Sequence, residues 1–145
     1  NPGSKRYLFP HSGTFSANPI GMVAGLATMQ KFDRPAIARL NSLASRATAG
    51  INNAIRQTGV AASITGAGSM FRIHLKPQAP RNYREAYLSP DENRRLKFML
   101  EFMAEEGFLL VNSGSAALST PMTEADIDAL IAAFTRCFTK LAAMD

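Results

Sequence analysis

The sequence predicts an α+β domain in which a small antiparallel sheet carries helices packed on it. Three observations carry that expectation. Helical stripes of apolar residues open and close on capping residues. Short segments near the middle are bounded by a Gly-rich turn, and the second of them alternates apolar and polar residues. The chain has 145 residues and is 46% hydrophobic, enough for one real core.

Asn1 to Phe15 reads as an extended arm and loop, because Pro2, Gly3 and Pro10 break regular structure. From about Ala17 to Phe32, the residues Ile20, Val23, Ala24, Leu26 and Ala27 form a helical stripe. Gly21 and Gly25 lie four apart on it and favour close packing against a neighbouring backbone. Asp33-Arg34-Pro35 opens a second helix, since proline suits a first turn. Ile37, Leu40, Ala44, Ala47, Ile51 and Ile55 hold one face to about Gln57, and Gly59 ends it.

Val60 to Thr65 reads as a strand, Gly66-Ala67-Gly68 as a turn, and Met70 to Lys76 as a second strand. Its alternation puts Phe71, Ile73 and Leu75 on one face and Arg72, His74 and Lys76 on the other. Pro77 to Tyr87 reads as a loop. Ser89-Pro90-Asp91-Glu92 is a helix start with a capping box, and the helix should run to about Glu106, burying Leu96, Met99, Leu100 and Met103 before Gly107. Phe108 to Val111 and Ala116 to Ser119 read as short strands around Asn112-Ser113-Gly114. Thr123 caps a last helix with Ile127, Leu130, Ile131, Phe134, Phe138 and Leu141 along one side. The domain division expected is an arm and loop over 1–16 and a small domain over 17–145.

Composition narrows the function. The formal net charge is +5, but the basic residues are scattered and no RNA-binding aromatic motif occurs, so no nucleic-acid partner is expected. Cys137 is the only cysteine, which excludes an internal disulfide and fits a reducing cytoplasm. One cysteine and two histidines do not make a structural zinc site. No apolar run reaches membrane-spanning length, so no membrane partner is expected either.

The segment from His11 to Pro19 carries the chemistry. Gly13 lets a backbone amide approach a ligand, Thr14 adds a hydroxyl donor, and a following helix offers unpaired N–H groups at its positive end. An anion-binding loop and an ordinary helix-capping loop both have this pattern.

Ser12-Gly13-Thr14-Phe15-Ser16-Ala17-Asn18-Pro19, followed by Met22-Val23-Ala24-Gly25-Leu26-Ala27, resembles the Gly-Thr segment of class III, fold-type I pyridoxal-phosphate enzymes. The resemblance is nearest to the glutamate-1-semialdehyde 2,1-aminomutase branch. It continues in order through Gly66-Ala67-Gly68-Ser69-Met70-Phe71, Arg81-Asn82-Tyr83, and Thr123-Glu124-Ala125-Asp126-Ile127-Asp128. It implies the C-terminal α+β domain of such an enzyme, with pyridoxal 5'-phosphate as cofactor and a homodimer as the working unit. Gly13 and Thr14 then bind the cofactor phosphate across the dimer. The family's lysine Schiff base lies in a large domain before the Gly-Thr loop, and none of Lys5, Lys31, Lys76, Lys97 and Lys140 stands in that lysine's context. The resemblance therefore implies a C-terminal piece of a longer enzyme, acting on an amino-acid or amino-aldehyde substrate in the cytoplasm and not catalytic alone.

One segment departs from the aminomutase pattern. Val111 to Ser119 is shorter and lacks a Glu that the branch usually carries there, while the Leu-Ser-x-Pro at Leu118 to Pro121 looks more like the family's β-amino-acid transaminases. His11 and His74 lack a recognisable partner and read as surface or loop histidines. Cys137 reads as a packed, inert thiol, and Arg94, Arg95 and Lys97 as a solvated face. The rival to the enzyme reading is a stand-alone, non-enzymatic α+β interaction module.

Overall fold

The computed structural model describes residues 13–144. The chain divides at Arg34 and Pro35 into two compact units.

The first unit contains helix α1, Pro19–Lys31. It starts where expected, with Pro19 in its first turn and Asn18 as cap. It does not carry a single apolar stripe. Ile20, Met22, Val23, Leu26 and Met29 are all exposed, at 61–81%, and no residue of the helix is buried. At 100° per residue these side chains and the intervening Ala and Gly leave little polar face.

The second unit is built from α2 (Arg34–Thr58), β1 (Ser63–Ala67), β2 (Met70–His74), α3 (Tyr83–Ala86), α4 (Pro90–Glu105), β3 (Ser115–Ala117) and α5 (Glu124–Ala142). The three strands form one antiparallel sheet in the order β1-β2-β3. The expected α+β class is therefore the observed one.

Local signals explain the helix ends. Ser89 and Glu92 make the expected capping box at α4, and Thr123 makes a second one with Asp126 at α5. Gly59 and Gly107 follow α2 and α4 as expected. The β1–β2 turn is tighter than the sequence implied. Ala67 pairs with Met70, so Gly66 and Ala67 belong to the strand and the turn is Gly68-Ser69. Gly68 has φ 55°, the left-handed value that a two-residue hairpin needs at this position.

Two other expectations change. The loop from Pro77 to Tyr87 contains α3, capped by Asn82, whose side-chain oxygen accepts from Glu85 N. Phe108 to Val111 is not a strand. Val111 N donates to Ser115 O at 2.8 Å and Gly114 N to Val111 O at 2.8 Å, so the segment closes a turn onto β3. Leu109 is left 89% exposed.

The core joins four elements. Leu40, Leu43, Ala47 and Ile51 of α2, Phe71 and Ile73 of β2, Met99 and Met103 of α4, and Ile127, Phe134 and Phe138 of α5 are buried together. Phe134 meets Phe71 edge-on at 6.4 Å between ring centroids and Phe138 at 5.4 Å. Ile37 and Ile55, expected on the core face of α2, lie at its margin, where Leu43 and Ala54 are buried instead.

Helices α2 and α5 approach closely at Gly50, where a Cβ would stand 2.3 Å from Ile131 Cδ1 and 2.7 Å from its Cγ1. Arg46 brackets the same contact, donating to both Asp128 carboxylate oxygens at 2.8 Å. Gly50→Ala is predicted to destabilise the fold by about 1–3 kcal/mol through overpacking, although Ala normally favours a helix over Gly by about 1 kcal/mol. Urea denaturation measures it. Combined with Ile131→Ala, the loss should be clearly smaller than the sum of the two single losses.

Candidate cofactor-phosphate loop and the open sheet face

Gly13 to Asn18 forms a tight turn ahead of α1. Ser16 N donates to Gly13 O at 2.9 Å, and Asn18 N to Phe15 O at 3.2 Å. Ala17 adopts φ 58°, an uncommon left-handed value for a residue with a Cβ. That twist aims Asn18 at the helix. Gly13 and Thr14 are exposed and adjacent on the turn. Among the described residues, a Cβ at Gly13 would meet only the Ser16 hydroxyl, at 3.2 Å, which leaves the backbone there open to close approach.

The helix end does not offer the free donors expected of it. Pro19 has no N–H. Ile20 N and Gly21 N donate to Asn18 Oδ1 at 2.9 and 3.4 Å, and Met22 N donates to Asn18 O at 2.9 Å. Asn18 has satisfied the first turn from within the chain. An anion at this loop would rely on Thr14, with its hydroxyl and N–H, on Phe15 N–H and on the Ser16 hydroxyl. Ser16 lies outside the Gly13–Thr14 pair expected from sequence, and its position two residues after Thr14 in the same turn is the signal for it.

Within the second unit, one face of the sheet packs on the core and the other carries polar chemistry. The ladder pairs Thr65 with Arg72 and Arg72 with Ser115, so these three side chains share that second face. Arg72 Nε donates to Ser113 O at 3.1 Å, and the Ser113 and Ser115 hydroxyls are 2.9 Å apart.

His74 lies on the same strand but is not a surface residue. It is 7% exposed, and its Nε2 is 2.8 Å from Thr65 Oγ1. Burial, reinforced by the positive charges of Arg72 and Lys76, lowers its pKa from 6.5. His11 lies outside the described residues. Nearby, Lys76 pairs with Glu92 at 2.6 Å, and both line an open cleft of about 700 Å³ with Arg81 and Glu85.

Cys137 is fully buried, and desolvation pushes its thiol up to about 12, as expected of an inert cysteine. Arg95 departs from the solvated face expected for it and is 7% exposed. Among the described residues, no group of His, Cys, Asp and Glu could hold a metal ion, and no helix is long and apolar enough to cross a membrane.

No protein-family model matches the chain. It is similar to glutamate-1-semialdehyde 2,1-aminomutase of Methanothrix thermoacetophila, with 36% identity over 102 residues, 70% of this chain and 23% of that protein. Among solved structures it is similar to an omega-transaminase from Sphaerobacter thermophilus, with a TM-score of 0.84 and 35% identity over 93% of this chain and 31% of the other. A transaminase solved with PLP bound gives a TM-score of 0.78 and 28% identity over 94% of this chain and 30% of that one. The chain thus spans about a quarter to a third of the proteins it matches. Its fold is that of the C-terminal α+β domain of fold-type I pyridoxal-phosphate transaminases. In sequence and fold the chain is a class III aminotransferase-like fragment, similar both to glutamate-1-semialdehyde aminomutases and to transaminases.

His74 gives the second unit a pH dependence whose sign follows from its lowered pKa. The unfolded chain binds a proton at higher pH than the folded one, so stability is present above about 6.5 and declines as pH falls below it. Denaturation midpoints at pH 7.5 and 5.5 test this. The native chain should lose more stability between them than His74→Gln, which cannot take up the proton.

Proposed function

We propose that this chain is the C-terminal part of a pyridoxal-phosphate-dependent transaminase that acts in the cytoplasm as a homodimer, and that Gly13 and Thr14 contact the cofactor phosphate held by the opposite subunit. The observation that carries the reading is the likeness to the Sphaerobacter thermophilus omega-transaminase across 93% of this chain. The chemistry of the loop supports it. Gly13 leaves room for an oxygen to come close, while Thr14 and Ser16 offer hydroxyls and Thr14 and Phe15 offer N–H groups. When bound, pyridoxal phosphate supplies the electron-withdrawing ring through which an amino group can move.

This chain's own part is to bind and orient. The loop fixes one end of the cofactor. Among the described lysines, Lys76 pairs with Glu92, Lys97 with Glu101, Lys140 lies over the Phe102 ring at 4.9 Å, and Lys31 ends α1; none stands in the sequence context of the family's attachment lysine. The attachment lysine belongs to the large domain. Helix α1, apolar round most of its circumference and exposed here, suits a position covered by that domain or by the second subunit. The substrate is an amino acid or amino aldehyde. We favour amino-acid transamination over aminomutation, because no carboxylate stands between Val111 and Ser119, where the aminomutase pattern has one.

The test is Thr14→Val in the intact enzyme. The side chain keeps its size, so folding should be retained. Cofactor affinity, followed by fluorescence titration, should fall by roughly 10- to 150-fold, the equivalent of about 1.5–3 kcal/mol for a hydrogen bond to a charged group. A mixed dimer then tests the direction of the contact. Pairing a Thr14→Val subunit with one lacking the attachment lysine leaves one lysine-bearing site. That site should bind cofactor normally if Thr14 acts across the dimer, and as weakly as the Thr14→Val homodimer if it does not.

A further inference from the structure

We propose that residues 77–88 form a latched strap along the cleft after β2, and that the Glu92 carboxylate is the latch. The inference concerns the second unit alone and does not rest on the transaminase reading. Glu92 uses its two oxygens on the two ends of one loop. Its Oε1 accepts from Lys76 Nζ at 2.6 Å, and its Oε2 accepts from Ser89 N at 2.7 Å. Lys76 is the residue before the loop and Ser89 the residue after it. One carboxylate therefore closes the neck of a segment whose length and close ends are those of an Ω-loop.

The strap has little else to hold it. No residue from Pro77 to Tyr87 is buried, and the Tyr83 and Tyr87 side chains stand out into solvent. Glu85 accepts from Arg81 N at 2.9 Å and from Asn82 Nδ2 at 2.7 Å, and Asn82 Oδ1 accepts from Glu85 N at 3.0 Å. These bonds shape α3 from within and do not tie it to the rest of the unit. A helix of one turn does not persist unsupported, so α3 depends on the neck. The fixed points on either side are Leu75, which is buried, and Leu88, which packs at the margin of the core. Asn93 Nδ2 adds bonds to Leu88 O and Ser89 O, at the far end only. Among the described residues, Glu92 alone reaches both ends.

The latch is suited to its place. Lys76 and Glu92 each keep 21% of the side chain exposed, whereas Arg81 in the Arg81–Glu85 pair keeps 86%. Exposed ion pairs contribute little and are screened by salt, while a mostly covered pair is screened less. Lys76, Glu92 and the strap from Pro77 to Arg81 line the cleft of about 700 Å³. Release of the latch lets the strap move off this cleft and leaves the Lys76 ammonium without its carboxylate, so the cleft becomes wider and more basic.

Two substitutions break the latch in different ways. Glu92→Gln removes the charge, yet a glutamine can still complete the capping box with Ser89. Lys76→Met keeps the aliphatic stem and leaves the cap of α4 untouched. Amide hydrogen exchange of the intact protein, read by mass spectrometry, compares them. Each variant should speed exchange over 81–88 by roughly tenfold, with β2 and α5 unchanged. The double variant should exchange no faster than the faster single one, because both remove the same contact. Trypsin cleavage after Arg81 and Arg84 should rise in step, and cleavage after Arg136 should not. Unchanged exchange over 81–88 in either variant would overturn the latch. So would an acceleration shared equally by β2 and α5, which marks general loosening, or a double variant whose effect is the product of the two single ones.

Discussion

The contact between Phe71 and Phe134 is the constraint on which the second unit depends. It ties the middle strand to the last helix, and its two rings sit among the buried residues of α2 and α4. Because side chains on a strand alternate, holding Phe71 inward also holds Arg72 outward and Met70 outward. A slip of one residue would bury the guanidinium and expose the ring. The polarity of the open face is thus a by-product of how firmly the core face is held, and the hydroxyls of Thr65 and Ser115 follow from the same register.

What could be read from sequence was local. Ser89 with Glu92 announces the start of α4 through atoms only three residues apart, and Gly59 and Gly107 mark helix ends in the same short-range way. Strand pairing is not local, and there the reading failed. Phe108 to Val111 has the composition of a strand but never gains a ladder partner. His74 has the alternation of an outward residue, yet it is buried, and its ring nitrogen is satisfied by Thr65, nine positions earlier on the adjacent strand.

The loop before α1 shows the same division. Gly13 and Thr14 were legible as a motif, while the fate of the helix donors was not. Asn18 uses both its side chain and its carbonyl to occupy them, helped by the left-handed turn at Ala17. An anion-binding reading of the loop therefore moves away from the helix dipole and onto hydroxyls and turn amides. Arg72 could be placed on a face from alternation alone. Its hydrogen-bond partner, Ser113 O, and its ladder neighbour, Ser115, stand more than forty positions on and needed the fold.

The buried thiol of Cys137 has a practical meaning beyond its inertness. With no exposed surface and an ionisation pushed up to about 12, it cannot meet an alkylating reagent while α5 is docked. Modification must wait for the aromatic cluster around it to open. Since the chain has no other cysteine, the rate of its labelling is a clock for opening of the core, read at one atom without any introduced probe.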